Sequence, residues 1–139
     1  NEPAEQWAQK NNNAADVRFW GNTQYQSMLQ MLSSGVDILV HPSLEESLPC
    51  AVIEGLALGL PVIAGAKSGG IPYTLGNGQA GILVDVRSHT KLAEAMLKLA
   101  NSPYTRKYLS ETGRDYALTH YTIEQVVDQY EHQYHNFKN

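Results

Sequence analysis

Apolar residues fall along the chain in two alternating kinds of block: short continuous runs, and longer stretches at helical spacing. Val36-Asp37-Ile38-Leu39-Val40, Pro61-Val62-Ile63-Ala64 and Ile82-Leu83-Val84 are the continuous runs. Unbroken β-branched and apolar character marks a strand covered on both faces. Val17-Arg18-Phe19-Trp20, closed by Gly21, reads as a further short strand. Between these lie the helical stretches. Glu2 to Asn13 is weakly helical, with Ala4, Trp7 and Ala8 on one side and a surface turn expected at Asn11-Asn12-Asn13. Thr23 is placed to cap a helix whose apolar positions are Tyr25, Met28, Leu29 and Leu32. Leu48-Pro49 opens a helix that runs to about Leu58, where Gly59 stops it.

Gly65 to Gly81 is glycine-rich loop with one helical turn expected at Pro72 to Leu75. Three helices close the chain. Residues 89–100 carry Leu92, Met96, Leu97 and Leu99. Ser102-Pro103 starts the second, and Thr122 with Gln125 forms the capping box of the third. That last helix sets Ile123, Val126, Val127, Tyr130 and Tyr134 on one face. Strands separated by helices imply parallel pairing and an α/β fold, a Rossmann-like sheet with helices on both faces. Such sheets take ligands at the carboxyl ends of their strands, so the loops after Trp20, Val40 and Ala64 are the ones to inspect.

Composition narrows the function classes. The 139 residues are 42% apolar and 17% charged with a net charge of −4, which supports one globular domain. No basic run or basic helix face is present, which argues against nucleic acid as a partner. Cys50 is the single cysteine, which fits a reducing compartment. The longest apolar stretch, Gly55 to Ala66, is too short to span a membrane and is broken by Gly59 and Pro61. The first residue is Asn1 in place of methionine, as expected of a fragment or a processed chain.

Several apparent motifs fail on context. Gly76-Asn77-Gly78-Gln79-Ala80-Gly81 fits G-x-G-x-x-G but precedes a strand instead of following one, so it reads as a turn. Gly65-Ala66-Lys67-Ser68 resembles the end of a P-loop, yet Ala66 stands where glycine is required. His132 and His135 share a helix face but lack a third ligand, and His89 and His120 sit at helix ends where local capping is expected. The informative pair is Glu46 and Glu54. Glu46 lies in the loop just before a helix and Glu54 in its second turn, so the two carboxylates bracket a helix N-terminus. Free N–H groups and the positive dipole end favour phosphate there, and carboxylates accept hydrogen bonds from sugar diols. Equally, Glu46 can simply favour the dipole and Glu54 can be a surface residue.

The stretch HPSLEESLPCAVIEGLALGLPVIAGAKSGGIPYTLGNGQAGILV resembles the signature of the retaining, family-four ("group 1") glycosyltransferases. That signature runs approximately P-S-x-x-E-(G/S)-(F/L), five variable positions, E-(A/G)-x-A-x-G-x-P-V-I, then G-G-(I/V)-P and G-(I/L)-L-V. VRFWG upstream and the helical residues after Ser88 extend the likeness over nearly all of the chain from Val17. The resemblance implies the C-terminal, donor-binding domain of a GT-B enzyme, which takes a hexose from a nucleoside-diphosphate sugar to a glycan or glycolipid acceptor with retention of configuration. It implies a cytoplasmic location, free or peripheral at the inner membrane face, and a part in polysaccharide biosynthesis. It implies no metal and no other cofactor. Carried over, Glu46 contacts the donor sugar close to the reaction centre and is the catalytic candidate. Glu54 binds the ribose, and the amides of Cys50 and Ala51 hold the diphosphate, with Ser47 and Leu48 beside them. Trp20, Gly21 and Asn22 lie against the base, and Gly69 and Gly70 permit close backbone approach. Pro49 departs from the family glycine and removes one N–H, Tyr73 replaces a frequent glutamate, and Ala66-Lys67 replaces a common polar-acidic pair. The family's arginine-lysine pair would lie upstream, with the N-terminal acceptor domain; a non-catalytic nucleotide-sugar binding module is the alternative.

In a doubly wound sheet of order 3-2-1-4-5-6, Val17–Trp20 would be the third strand and Val36–Val40 the fourth. The sheet is therefore expected to lack its first strand-helix units, leaving a gap two strands wide.

Overall fold

The computed structural model describes residues 3–11 and 17–137. The chain divides into two units, Asn1–Met31 and Leu32–Asn139. In the first, α1 (Ala4–Lys10) buries Ala8, and Asn11 closes it by donating from its amide to the Trp7 carbonyl at 2.8 Å. Asn12 and Asn13, the rest of the expected turn, lie outside the described residues. Val17–Trp20 is not a strand. A strand exists only through its ladder, and Val17, Phe19 and Trp20 are exposed, with no strand partner among the described residues. Ahead of α2 (Tyr25–Gly35) the Thr23 hydroxyl donates to the Trp20 carbonyl at 3.3 Å, and the Met28 N–H meets the Gln24 carbonyl at 3.0 Å.

The second unit is built on three parallel strands, β1 (Leu39–His41), β2 (Val62–Gly65) and β3 (Ile82–Val84), in the order β1-β2-β3. These adjacencies are those expected of the fourth to sixth strands of a doubly wound sheet. β1 starts later than the apolar run at Val36, because the ladder begins where the Leu39 N–H meets the Pro61 carbonyl at 2.9 Å. Among the described residues β1 and β3 are the sheet edges.

The alternation of side chains divides the core in two. Val62 and Ala64 of β2 face α3 (Cys50–Ala57) and the short α4 (Ile71–Thr74), packing with Val52, Leu56, Ile71 and Leu75. Ile63 faces the other way, against Ala95 and Leu99 of α5 (His89–Ala100). β2 is buried throughout because it is central in the sheet and covered on both faces.

The long helix α6 (Pro103–His120) serves both cores, Leu109 entering one and Ala117 the other. It comes close to α3 at Gly113, where a Cβ would stand 2.9 Å from the Leu56 side chain and 3.0 Å from the Ala80 carbonyl. Just past the end of α3, Gly59 has φ +77°, and the Gly59 and Leu60 N–H groups close onto the Leu56 and Gly55 carbonyls. The G-x-G-x-x-G segment forms a 3₁₀ turn (Gly76–Gly78) leading into β3.

Ser88, Ser102 and Thr122 each accept a first-turn N–H at the starts of α5, α6 and α7 (Ile123–Asn136). The expectation that His89 caps is corrected, since Ser88 does so and His89 is the first residue of α5. His120 does cap locally, its Nδ1 lying 2.9 Å from the Tyr116 carbonyl and its ring stacked on Tyr116 at 4.0 Å. On α7 the apolar face stays exposed, from 39% at Val126 to 79% at Ile123. Among the described residues no helix is long and apolar enough to cross a membrane.

Candidate functional site

Parallel strands bring their carboxyl ends to one edge, so the loops after β1, β2 and β3 converge there. The β1 loop is the longest and leads directly into α3. Its path is set by contacts far away in sequence. Ser68, 1% exposed, donates its hydroxyl to the Ser43 carbonyl at 2.6 Å. Two residues on, the Gly70 N–H donates to the Glu46 carbonyl at 2.7 Å. The β2 loop thus grips the β1 loop at both ends.

This grip explains the glycine pair. A Cβ at Gly70 would overlap the Ser47 carbonyl oxygen, and one at Gly69 would overlap that of Glu46. Gly69 also has φ +52°, in the left-handed region. What comes close to both glycines is the Glu46–Ser47 main chain. Sequence reasoning singled out both glycines and both acidic-loop residues without connecting them.

Glu46 is half-buried at this edge. Its Oε1 is 2.8 Å from Nε2 of His41, the last residue of β1. The His41 hydrogen bond, and after it the neighbouring Ser43 hydroxyl, hold the Glu46 carboxyl below the usual carboxylate range, against the opposing effect of partial burial. Glu46 is therefore an anion at neutral pH and accepts hydrogen bonds only. His41 was not among the sequence candidates. Its signal was its place, directly after the apolar run that ends at Val40 and five residues before the acid.

The loop delivers the chain to α3 through Pro49, a buried residue in extended conformation at the N-cap. Proline has no N–H and no capping oxygen, and no side chain caps this helix. Hydrogen bonding onto the Pro49 carbonyl begins at the Val52 N–H, 3.0 Å away, which leaves the Cys50 and Ala51 amides ahead of the helix ladder. Cys50, Ala51 and the neighbouring Leu48 are exposed. Glu54 is half-buried and lies four residues after Cys50, on the same side of α3. The edge so formed has amides and a dipole end suited to an anion, flanked by two carboxylates suited to hydroxyls.

Trp20, Gly21 and Asn22 lie in the first unit. There Trp20 is exposed and Gly21 has φ +61°. Lys67 is exposed on the β2 loop and shares a small cleft with Leu44, Asp85 and Arg87 at the ends of the other strands. Among the described residues no cluster of three His, Cys, Asp or Glu side chains could hold a metal ion, His132 and His135 included.

Residues 1–116 match the family model described as "Glycosyl transferases group 1". The chain is 36% identical over 93 residues to a D-inositol 3-phosphate glycosyltransferase of Corynebacterium glutamicum, covering 67% of this chain and 22% of that protein. It is 29% identical over 100 residues to the N-acetyl-alpha-D-glucosaminyl L-malate synthase of Bacillus anthracis, covering 72% and 26%. Among solved structures it resembles sucrose-phosphate synthase from Thermosynechococcus elongatus, with a TM-score of 0.82 and 28% identity over 96% of this chain and 33% of that one. The fold also matches the C-terminal domain of a group 1 family glycosyl transferase from Francisella tularensis, at a TM-score of 0.74 and 24% identity over 86% of this chain and 60% of that one. The chain therefore spans about a quarter of the length of these two curated relatives.

Proposed function

The chain belongs to the group 1 glycosyltransferases, and from that premise we propose that residues 1–139 are part of the C-terminal, donor-binding domain of a retaining GT-B enzyme. The donor in this reading is a nucleoside-diphosphate hexose and the acceptor a glycan or glycolipid. The acceptor domain, and the family's arginine-lysine pair upstream of the matched region, belong to the rest of the polypeptide. The observation that carries the reading is the gripped β1 loop, which puts an ionised Glu46 next to an uncapped helix N-terminus.

The chemistry follows the order of groups along the edge. The diphosphate takes the Cys50 and Ala51 amides, where N–H groups and the dipole of α3 meet its charge. Glu54, one turn on, accepts from the ribose diol. Glu46, on the other side of the helix start, accepts from hydroxyls of the transferred sugar. Fixed donors aimed at the leaving diphosphate favour charge as it develops during sugar transfer. Ser47, Leu48, Gly69 and Gly70 complete the wall.

A thermal-shift screen of the full-length protein against UDP-, GDP- and ADP-sugars tests the reading, because a ligand that binds the native state raises its melting temperature. One nucleotide class is expected to stabilise it in proportion to concentration. No stabilisation by any of the three, with no transfer to glycan acceptors, would refute it. Binding without transfer would instead favour a non-catalytic nucleotide-sugar module.

A further inference from the structure

We propose that His41 is a positioning residue: its Nε2–H fixes the carboxylate of Glu46 at the sugar end of the donor site, and so acts on sugar transfer and not on nucleotide binding. The inference rests on the donor reading above and assigns a role to a residue which that reading does not use. His41 is held by the sheet, in register opposite Ala64 of the fully buried β2. Glu46 sits on a loop, and its side chain has three torsions of its own. A hydrogen bond of 2.8 Å from a sheet-anchored ring to that carboxylate removes this freedom. Both groups are partly sheltered, at 22% and 27% side-chain exposure, so the bond is only partly screened by water.

The bond also sets the state of the ring. A carboxylate held below its usual range has no proton to give, so Nε2 must carry one. Neutral His41 then has its proton on Nε2, and protonated His41 makes the same bond with added charge. In either state one oxygen of Glu46 is occupied by a fixed donor, and the group becomes an oriented acceptor.

A purely structural role for His41 is the competing explanation, and the geometry argues against it. The loop backbone already has two anchors that do not involve His41: the Ser68 hydroxyl on the Ser43 carbonyl and the Gly70 N–H on the Glu46 carbonyl. Removing the imidazole leaves both in place and frees only the carboxylate. Preorganised acceptors matter most where the reacting sugar must be held in one orientation.

The test uses the full-length protein and the variants His41→Ala and His41→Gln. Calorimetry measures affinity for UDP, GDP and ADP, and initial rates are measured with UDP-glucose, GDP-mannose and ADP-glucose. His41→Ala is expected to lower turnover roughly tenfold or more, the effect of losing a hydrogen bond to a charged group, while nucleoside-diphosphate affinity stays at the wild-type value. His41→Gln is expected to recover most of the turnover, because its amide N–H reaches close to where Nε2 stood. In a spectrum of the ¹⁵N-labelled wild-type imidazole, neutral His41 is expected as the Nε2–H tautomer. Wild-type turnover in His41→Ala, affinity falling in step with turnover, or a glutamine variant no better than alanine would each overturn the inference while leaving the donor reading intact. A wild-type protein that neither binds these nucleotides nor transfers from these donors would overturn both, and that is seen before any variant is made.

Discussion

Gly70→Ala isolates the contact that shapes the site. Gly70 has φ −74° and ψ −7°, a conformation that alanine adopts without strain. Any cost must therefore come from space. The new methyl would overlap the Ser47 carbonyl oxygen and stand 2.9 Å from its carbon. These are backbone atoms and cannot rotate away. The β1 loop would have to shift outward, stretching the 2.7 Å bond from the Gly70 N–H to the Glu46 carbonyl. Overpacking of this kind costs about 1–3 kcal/mol, and a lost backbone hydrogen bond about 1 kcal/mol more. We expect Gly70→Ala to destabilise the protein by about 2–4 kcal/mol in urea unfolding, with an unchanged denaturant slope. Turnover should fall as well, because Glu46 rides on the displaced loop. The control is Gly35→Ala: no atom lies within 4 Å of the place its methyl would take and its φ is not positive, so the change should be neutral or stabilising by up to about 1 kcal/mol. Equal unfolding midpoints for the two variants would refute the claim that close packing requires glycine at position 70.

Glu54→Gln should weaken nucleoside-diphosphate binding by about 1.5–3 kcal/mol without lowering the unfolding midpoint; unchanged affinity by calorimetry would count against its ribose contact. Glu46→Ala should lower turnover more than nucleotide affinity if it faces the transferred sugar as proposed, and an equal loss in both would contradict that role. The depressed Glu46 carboxyl gives a signed pH effect: its stabilising interaction with His41 and Ser43 is present above the ordinary carboxylate range and lost as pH falls below that range through the lowered folded-state value. Acid unfolding curves of Glu46→Gln should lack that component. Burial first, and the nearby Tyr116 and Tyr73 after it, push the Tyr121 phenol up to about 12. The folded state then keeps its proton where the unfolded chain has lost it, so stability should decline as pH rises from about 10 toward 12. Tyr121→Phe should flatten that decline, at the loss of a 3.3 Å bond to the Thr74 carbonyl; an identical alkaline profile would refute the assignment.

What the sequence by itself determined is what depends on neighbours in the chain. The hydroxyls of Ser102 and Thr122 reach N–H groups three residues away, and Gly59 stops α3 through its own backbone angle. The unbroken apolar run at Val62 fits the doubly covered central strand that it forms. Leu48-Pro49 located the start of α3, with Glu46 before it and Glu54 inside it.

Tertiary structure decided whatever needs a partner. Val17–Trp20 has strand-like residues but no ladder, and propensity alone cannot supply one. The face of α7 is legible as a stripe, while its exposure depends on what packs against it. Gly69 and Gly70 read as permissive positions, and only the fold shows that the Glu46–Ser47 backbone fills the space they leave. His41 looks like the end of a strand until the loop folds back and brings Glu46 to its ring. Local hydrogen bonds and side-chain periodicity are written within a few residues, whereas these contacts form only when separate segments meet at the carboxyl edge of the sheet.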